Sequence, residues 1–112
     1  MKAKFTYAIK FVADMEKAIR FHRDTLGLPL KFQSPEWTEF STGDVTLALH
    51  RASEKNPAGS VELGFGVDDL KGVFAKRNEL GLKFAAEPKP LHGSVLGKIF
   101  DSENAECSIS GH

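Results

Sequence analysis

Few side chains of this chain could do chemistry, and they follow no familiar reactive order. It holds one Trp (Trp37), one Tyr (Tyr7), one Cys (Cys107) and four His (His22, His50, His92 and His112). No glycine-rich phosphate loop, Ser-His-Asp order or Cys-x-x-Cys pair occurs. Phosphate cradling, acyl-enzyme chemistry and dithiol exchange therefore have no local support. What remains is a set of aromatic and polar residues spaced to share a face. Trp37 and Glu39 lie two apart, which in a strand puts both on one side. In the alternating run after Asp44, Val45, Leu47 and Leu49 point one way, and Thr46, Ala48 and His50 the other.

Each of these residues has a bland reading beside its chemical one. Trp37 is either a stacking surface for a flat ligand or a core or dimer-interface residue. His50 either contacts a ligand or ends its strand near solvent. His22 falls on a helix stripe and is expected to be partly buried with one ring nitrogen bonded. His92 lies in Pro90-Leu91-His92-Gly93, a loop read as solvated or as a lid, and His112 is terminal. Cys107 alternates away from Ser108 and reads as an inert core thiol.

The elements that must position these residues come in two similar copies. Phe11-Val12-Ala13-Asp14-Met15 leads into an apolar-striped stretch and Leu26-Gly27-Leu28. Phe65-Gly66-Val67-Asp68-Asp69-Leu70 leads into another, then Leu80-Gly81-Leu82. Gly27 follows Val12 by 15 positions and Gly81 follows Val67 by 14. Two such units, each too small to bury a core alone, imply one domain built by pairing them.

In the first copy a strand is predicted over 4–12, apolar at both parities and so covered on both faces. Asp14 caps a helix whose stripe is Met15, Ala18, Ile19, His22 and Leu26, with Phe21 beside it. Gly27 supplies its left-handed exit, and Pro29 prevents continuation. Strands follow over 30–33, 37–40 and 45–50, with a turn at 41–44. Residues 51–60 are polar and breaker-rich, a linker between units. The second copy repeats the order. A strand over 61–67 has Val61, Leu63, Phe65 and Val67 on one face. Asp68 or Asp69 caps a helix carrying Leu70, Val73, Phe74, Arg77 and Leu80. A short strand at 83–85 is closed by Glu87-Pro88-Lys89-Pro90, and final strands run over 95–100 and 105–109. The closing hairpins align so that Ala48 corresponds to Ser108.

The 112 residues suit one domain, 41% of them apolar and nine of them Phe. Fifteen basic residues balance fifteen acidic ones and are scattered along the chain, so nothing points to nucleic acid or an anionic membrane. A lone Cys fits a reducing compartment, and no apolar run approaches the ~20 residues of a membrane span. With no signal-peptide core after Met1-Lys2-Ala3-Lys4, a soluble cytoplasmic protein is expected.

The stretch Phe21-His22-Arg23-Asp24-Thr25-Leu26-Gly27-Leu28 resembles the "FYRDxLGL" signature of the vicinal oxygen chelate superfamily. This superfamily includes glyoxalase I, bleomycin resistance proteins and extradiol dioxygenases. Val61-Glu62-Leu63-Gly64-Phe65-Gly66-Val67-Asp68-Asp69-Leu70 is similar to the signature of its second unit, and the resemblance spans nearly the whole chain. It implies an α+β fold in which two βαβββ modules form a curled mixed sheet, an open cup with helices outside. The boundaries would be about 4–50 for module one, 51–60 for the linker and about 61–110 for module two, in one domain over 1–112.

In metal-dependent members of that superfamily, four ligands sit on the cup floor. The resemblance carries those positions onto Tyr7, Ala48, Glu62 and Ser108, of which only Glu62 is a good donor. His50, two residues along from Ala48 on its face, is the one substitute. Glu62 reads as a general base or contact for a cationic ligand, or as part of a polar patch with Lys98, His50 or Tyr7. The expectation is therefore a domain without metal or cofactor that binds or sequesters a small molecule, similar to the bleomycin resistance branch. Its lining candidates are Tyr7, Trp37, His50, Glu62 and Ser108, and it would work as a homodimer. The alternative is a metal-dependent lyase or dioxygenase using Glu62 and His50.

Overall fold

In the computed structural model, which describes residues 1–91 and 93–112, the chain divides into two compact units. One spans Thr6–Glu62, and the other Leu63–His112 together with Met1–Phe5. His92 and its proposed lid role lie outside the described residues.

The first unit contains β1 (Lys4–Val12, which begins just before it), α1 (Met15–Arg20), β2 (Leu30–Gln33), β3 (Trp37–Ser41) and β4 (Thr46–Arg51). Its strands lie in the order β2-β3-β4-β1, antiparallel except where β1 runs parallel to β4. Asp14 caps α1 as expected, its carboxylate accepting from the Lys17 N–H at 3.1 Å. Met15 and Ile19 then reach the sheet and bury with Phe40 and Leu49. The helix does not continue regularly along the expected stripe. From Phe21 to Thr25 it widens into a π-helical turn, in which the Leu26 N–H reaches back to the Phe21 carbonyl. The widening turns Phe21 and Leu26 outward, and both are exposed. Gly27 (φ 73°) makes the left-handed exit.

The second unit contains β5 (Val61–Gly66, which begins just before it), α2 (Leu70–Ala75), α3 (Arg77–Leu80), β6 (Lys83–Leu91), β7 (Ser94–Phe100) and β8 (Glu106–Gly111). The order β5-β8-β7-β6 and the parallel β5–β8 pair repeat the first unit's pattern. The registers agree with the expected duplication. Ala48 lies opposite Ile9, two residues after Tyr7, and Ser108 lies opposite Gly64, two residues after Glu62. Val67, Leu70, Val95 and Ile109 form this unit's core, and Cys107 is buried beside it in sequence.

Two expectations for the second unit need correction. Its helix is broken at Lys76, whose N–H is shared between the carbonyls of Gly72 and Val73 and whose backbone leaves helical geometry (ψ 13°). Of the two candidate caps, Asp69 does the capping, accepting from the Gly72 N–H at 3.0 Å. The strand placed at 83–85 runs on to Leu91 through Pro88 and Pro90. An outermost strand tolerates proline because one row of its N–H groups has no ladder partner to lose, and the ladder to β7 shifts register on the way. The apolar row of 61–67 is buried only toward its end, at Val67 and in part at Phe65. Val61 and Leu63 are exposed, while Glu62 and Gly64 are buried.

Candidate functional site

Strand pairing in the first unit lays out a grid on the sheet face opposite α1. Phe11, His50 and Trp37 lie in one row, and Ile9, Ala48 and Glu39 in the next. Tyr7 begins a third row beside Thr46. Ile9, Phe11 and Ala48 form a second buried cluster, against which Tyr7 and Trp37 pack. This is what two-sided burial of β1 requires: Val12 joins the helix-side core while Ile9 and Phe11 join this one.

The indole of Trp37 bridges the rows. Its centroid is 6.2 Å from the Tyr7 ring and 5.9 Å from the His50 ring, and His50 lies 5.4 Å from Phe11. Such separations suit tilted and edge-to-face aromatic contacts. Trp37 Nε1–H donates to Glu39 Oε2 at 2.7 Å, and Glu39 Oε1 lies 3.7 Å from Lys31 Nζ. The carboxylate therefore fixes the indole along the strand, with Lys31 balancing its charge. Ser34 holds the start of β3, accepting from the Trp37 N–H and donating to the Trp37 carbonyl.

His50 is exposed, and its Nδ1 lies 2.8 Å from the Arg51 carbonyl oxygen. The hydroxyl of Tyr7, which is half-buried, has no hydrogen-bond partner among the described residues. Three of the five lining candidates, Tyr7, Trp37 and His50, thus share one face of the first unit. Glu62 is a buried carboxylate, only 6% exposed, and Ser108 stands in the second unit with Lys98 Nζ 3.4 Å from its Oγ. His22 is half-buried with Nδ1 at 2.8 Å from the Ala18 carbonyl and its ring against Phe40, a packing role.

Sequence reasoning missed Phe11 as the ring backing His50, although its shared parity with Tyr7 signalled the face. It also left Glu39 without a role. A shallow groove of about 690 Å³ on the helix side, touched by Asp14, Met15, Ile19, Gln33 and Arg51, was not foreseen either. Its cation, Arg51, is already engaged by Glu36 at 3.4 Å and the Pro35 carbonyl at 3.2 Å.

The four positions that carry metal ligands in metal-dependent relatives do not make a donor set here. Ala48 has no lone pair to offer and is fully buried in an apolar cluster, and Tyr7 is packed on Trp37. Among the described residues no three His, Cys, Asp or Glu side chains gather as they would around an ion. Among those residues, too, no helix is long and apolar enough to cross a membrane.

Comparison with known proteins supplies the family. No curated protein matches the sequence. Solved structures do. A hypothetical protein from Bacillus halodurans C-125 superimposes with a TM-score of 0.78 at 14% identity, over 100% of this chain and 96% of its own. Methylmalonyl-CoA epimerase from Mycobacterium tuberculosis gives 0.78 at 15% identity, over 96% and 86%. The Streptomyces coelicolor methylmalonyl-CoA epimerase in complex with 2-nitronate-propionyl-CoA gives 0.73 at 15% identity, over 96% and 96%. At such identities these likenesses establish the shared α+β fold alone. The sequence pattern of the Glyoxalase/Bleomycin resistance protein/Dioxygenase superfamily, however, matches residues 4–102. The chain belongs to that superfamily.

Proposed function

We propose that this protein reversibly binds a small, flat, largely apolar molecule on the aromatic face of its first unit, without a metal ion. The observation that carries the reading is the half-buried indole of Trp37. It is held by Glu39, packed on Ile9, Phe11 and Ala48, and flanked by the rings of Tyr7 and His50. A face of this kind offers stacking area with a few polar groups to orient the occupant. The donorless, buried Ala48 supports the metal-free part of the proposal. That epimerases of the same fold are found in complex with acyl-CoA ligands supports a small molecule as occupant. Glu62 is proposed as a further lining residue of the first unit, and Ser108 as a ligand-binding residue of the second unit.

The test uses the protein's own fluorophore, since Trp37 is its single Trp. Titration with naphthalene-class compounds is expected to change Trp37 emission saturably, with a matching rise in Tm. A flat response in both readouts across the set would refute the reading. Metal analysis of the purified protein tests the second half. Stoichiometric metal that disappears in Glu62→Ala would replace this proposal with a metal-dependent lyase or dioxygenase.

We further propose that the two units act as one domain of a cytoplasmic protein and that the chain pairs as a homodimer. Val61 and Leu63 on β5 would supply apolar surface for such a partner. Light scattering should then give twice the 12.3 kDa chain mass, and a monomer at all concentrations would exclude it.

A further inference from the structure

We infer that the occupant of the aromatic face is a planar aromatic compound bearing a hydroxyl or N–H donor, and that His50 Nε2 is the atom that reads this donor. The inference rests on the proposed binding face and adds the chemistry that selects among flat ligands.

A carbonyl oxygen only accepts. The 2.8 Å contact between His50 Nδ1 and the Arg51 carbonyl therefore requires the ring proton of neutral His50 to sit on Nδ1. Nε2 is left with its lone pair, as an acceptor. The ring is held against Phe11 at 5.4 Å and Trp37 at 5.9 Å, so Nε2 is an oriented acceptor at the edge of an aromatic surface. The residue is exposed, and no contact from another described side chain occupies Nε2. The carboxylate on the face is already committed, because Glu39 accepts from the Trp37 indole and faces Lys31. Of the two, the imidazole therefore remains open to a ligand donor. At the other side of the indole, the Tyr7 hydroxyl marks a second polar point, able to donate or accept. A flat ring lying over Trp37 would meet an acceptor beside its edge at His50. An analogue lacking a donor would leave that acceptor with water excluded and unpaired, and such mismatches discriminate well.

The experiment compares 2-naphthol with 2-methoxynaphthalene by isothermal titration calorimetry. The two share their fused rings and differ in the donor. The native protein is expected to bind 2-naphthol about five- to tenfold more tightly, the worth of one net hydrogen bond. In His50→Phe, which keeps a ring against Phe11 and Trp37 but has no acceptor, the ratio of the two affinities should fall to about one. Circular dichroism of His50→Phe and of a second variant, His50→Asn, checks that each is folded. Equal affinity of the native protein for both compounds overturns the role of His50 while leaving the binding face intact. A preference that survives in His50→Phe, which has no acceptor, also overturns it. No binding of either compound overturns the binding face and this inference together.

Discussion

Replacing Glu39 with Ala removes the acceptor of the Trp37 indole and the counter-charge of Lys31 in one step. The geometry says which loss dominates. A hydrogen bond to a charged group contributes about 1.5–3 kcal/mol net when well shielded, whereas an exposed ion pair contributes about 0–1 kcal/mol. The Glu39 side chain is 16% exposed and that of Lys31 is 52% exposed, at 3.7 Å from each other. The indole bond, at 2.7 Å, is the shorter and better shielded of the two. Partial exposure of the carboxylate trims it, so Glu39→Ala should cost about 1–2 kcal/mol, nearly all of it through Trp37. With a urea slope of roughly 2 kcal/mol/M, the unfolding midpoint falls by about 0.5–1 M. Urea unfolding followed by far-ultraviolet circular dichroism reads this without relying on the Trp. A double-mutant cycle of Glu39→Ala with Trp37→Phe should return a coupling of about 1 kcal/mol, and Lys31→Ala alone should cost less than about 0.5 kcal/mol. A coupling near zero, or a Lys31→Ala cost equal to that of Glu39→Ala, would refute the account of how the indole is held.

Three other perturbations have definite expected outcomes. Ala48→His puts an imidazole into a fully buried site among Ile9 and Phe11, so it should destabilise by about 1–3 kcal/mol from overpacking, and Tm should not rise on adding Zn²⁺ or Mn²⁺. A metal-dependent rise would show that the floor can be restored by one donor. Leu49→Ala should cost about 2–5 kcal/mol, since Leu49 is fully buried with Met15, Ile19 and Phe40; Leu63→Ala, at 42% exposure, should cost a small fraction of that in the same denaturation assay. The Arg23 guanidinium hydrogen-bonds Asp24 at 2.8 Å and holds its carboxyl below the usual carboxylate range. A depressed carboxyl favours the folded state above the unfolded pKa and loses that contribution as pH falls through the folded value. Because both groups are exposed, Arg23→Ala should raise the Asp24 midpoint in an NMR titration yet leave Tm at pH 7 unmoved.

Much of the architecture could be read from spacing, because the sequence states it twice. Asp14 and Asp69 cap, Gly27 and Gly81 exit, and the alternation of 45–50 sorts Leu47 and Leu49 from Ala48 and His50, all by local rules. Failures came where neighbours decide. The π-helical turn at Phe21–Thr25 accompanies the His22 ring's use of the Ala18 carbonyl, a side-chain choice that periodicity does not encode. The extension of β6 through Pro88 and Pro90 depends on the strand being outermost, which composition alone cannot reveal. At the candidate site, parity placed Tyr7, Trp37 and His50 on faces that pairing then brought together. Nothing in the sequence said that the indole would cross from the His50 row to Tyr7 and cover Ala48, because that follows from rotamer and packing.

The prolines of β6 also bear on solubility. A bare sheet margin invites a second chain to dock against it and start a stack. Here the margin of the second unit's sheet lacks amide hydrogens at residues 88 and 90, and Lys83 and Lys89 stand in the same strand. An incoming strand would find breaks in the ladder and a charged flank. Self-association through this rim is thereby discouraged, so that copies of the chain can meet elsewhere without growing into fibres.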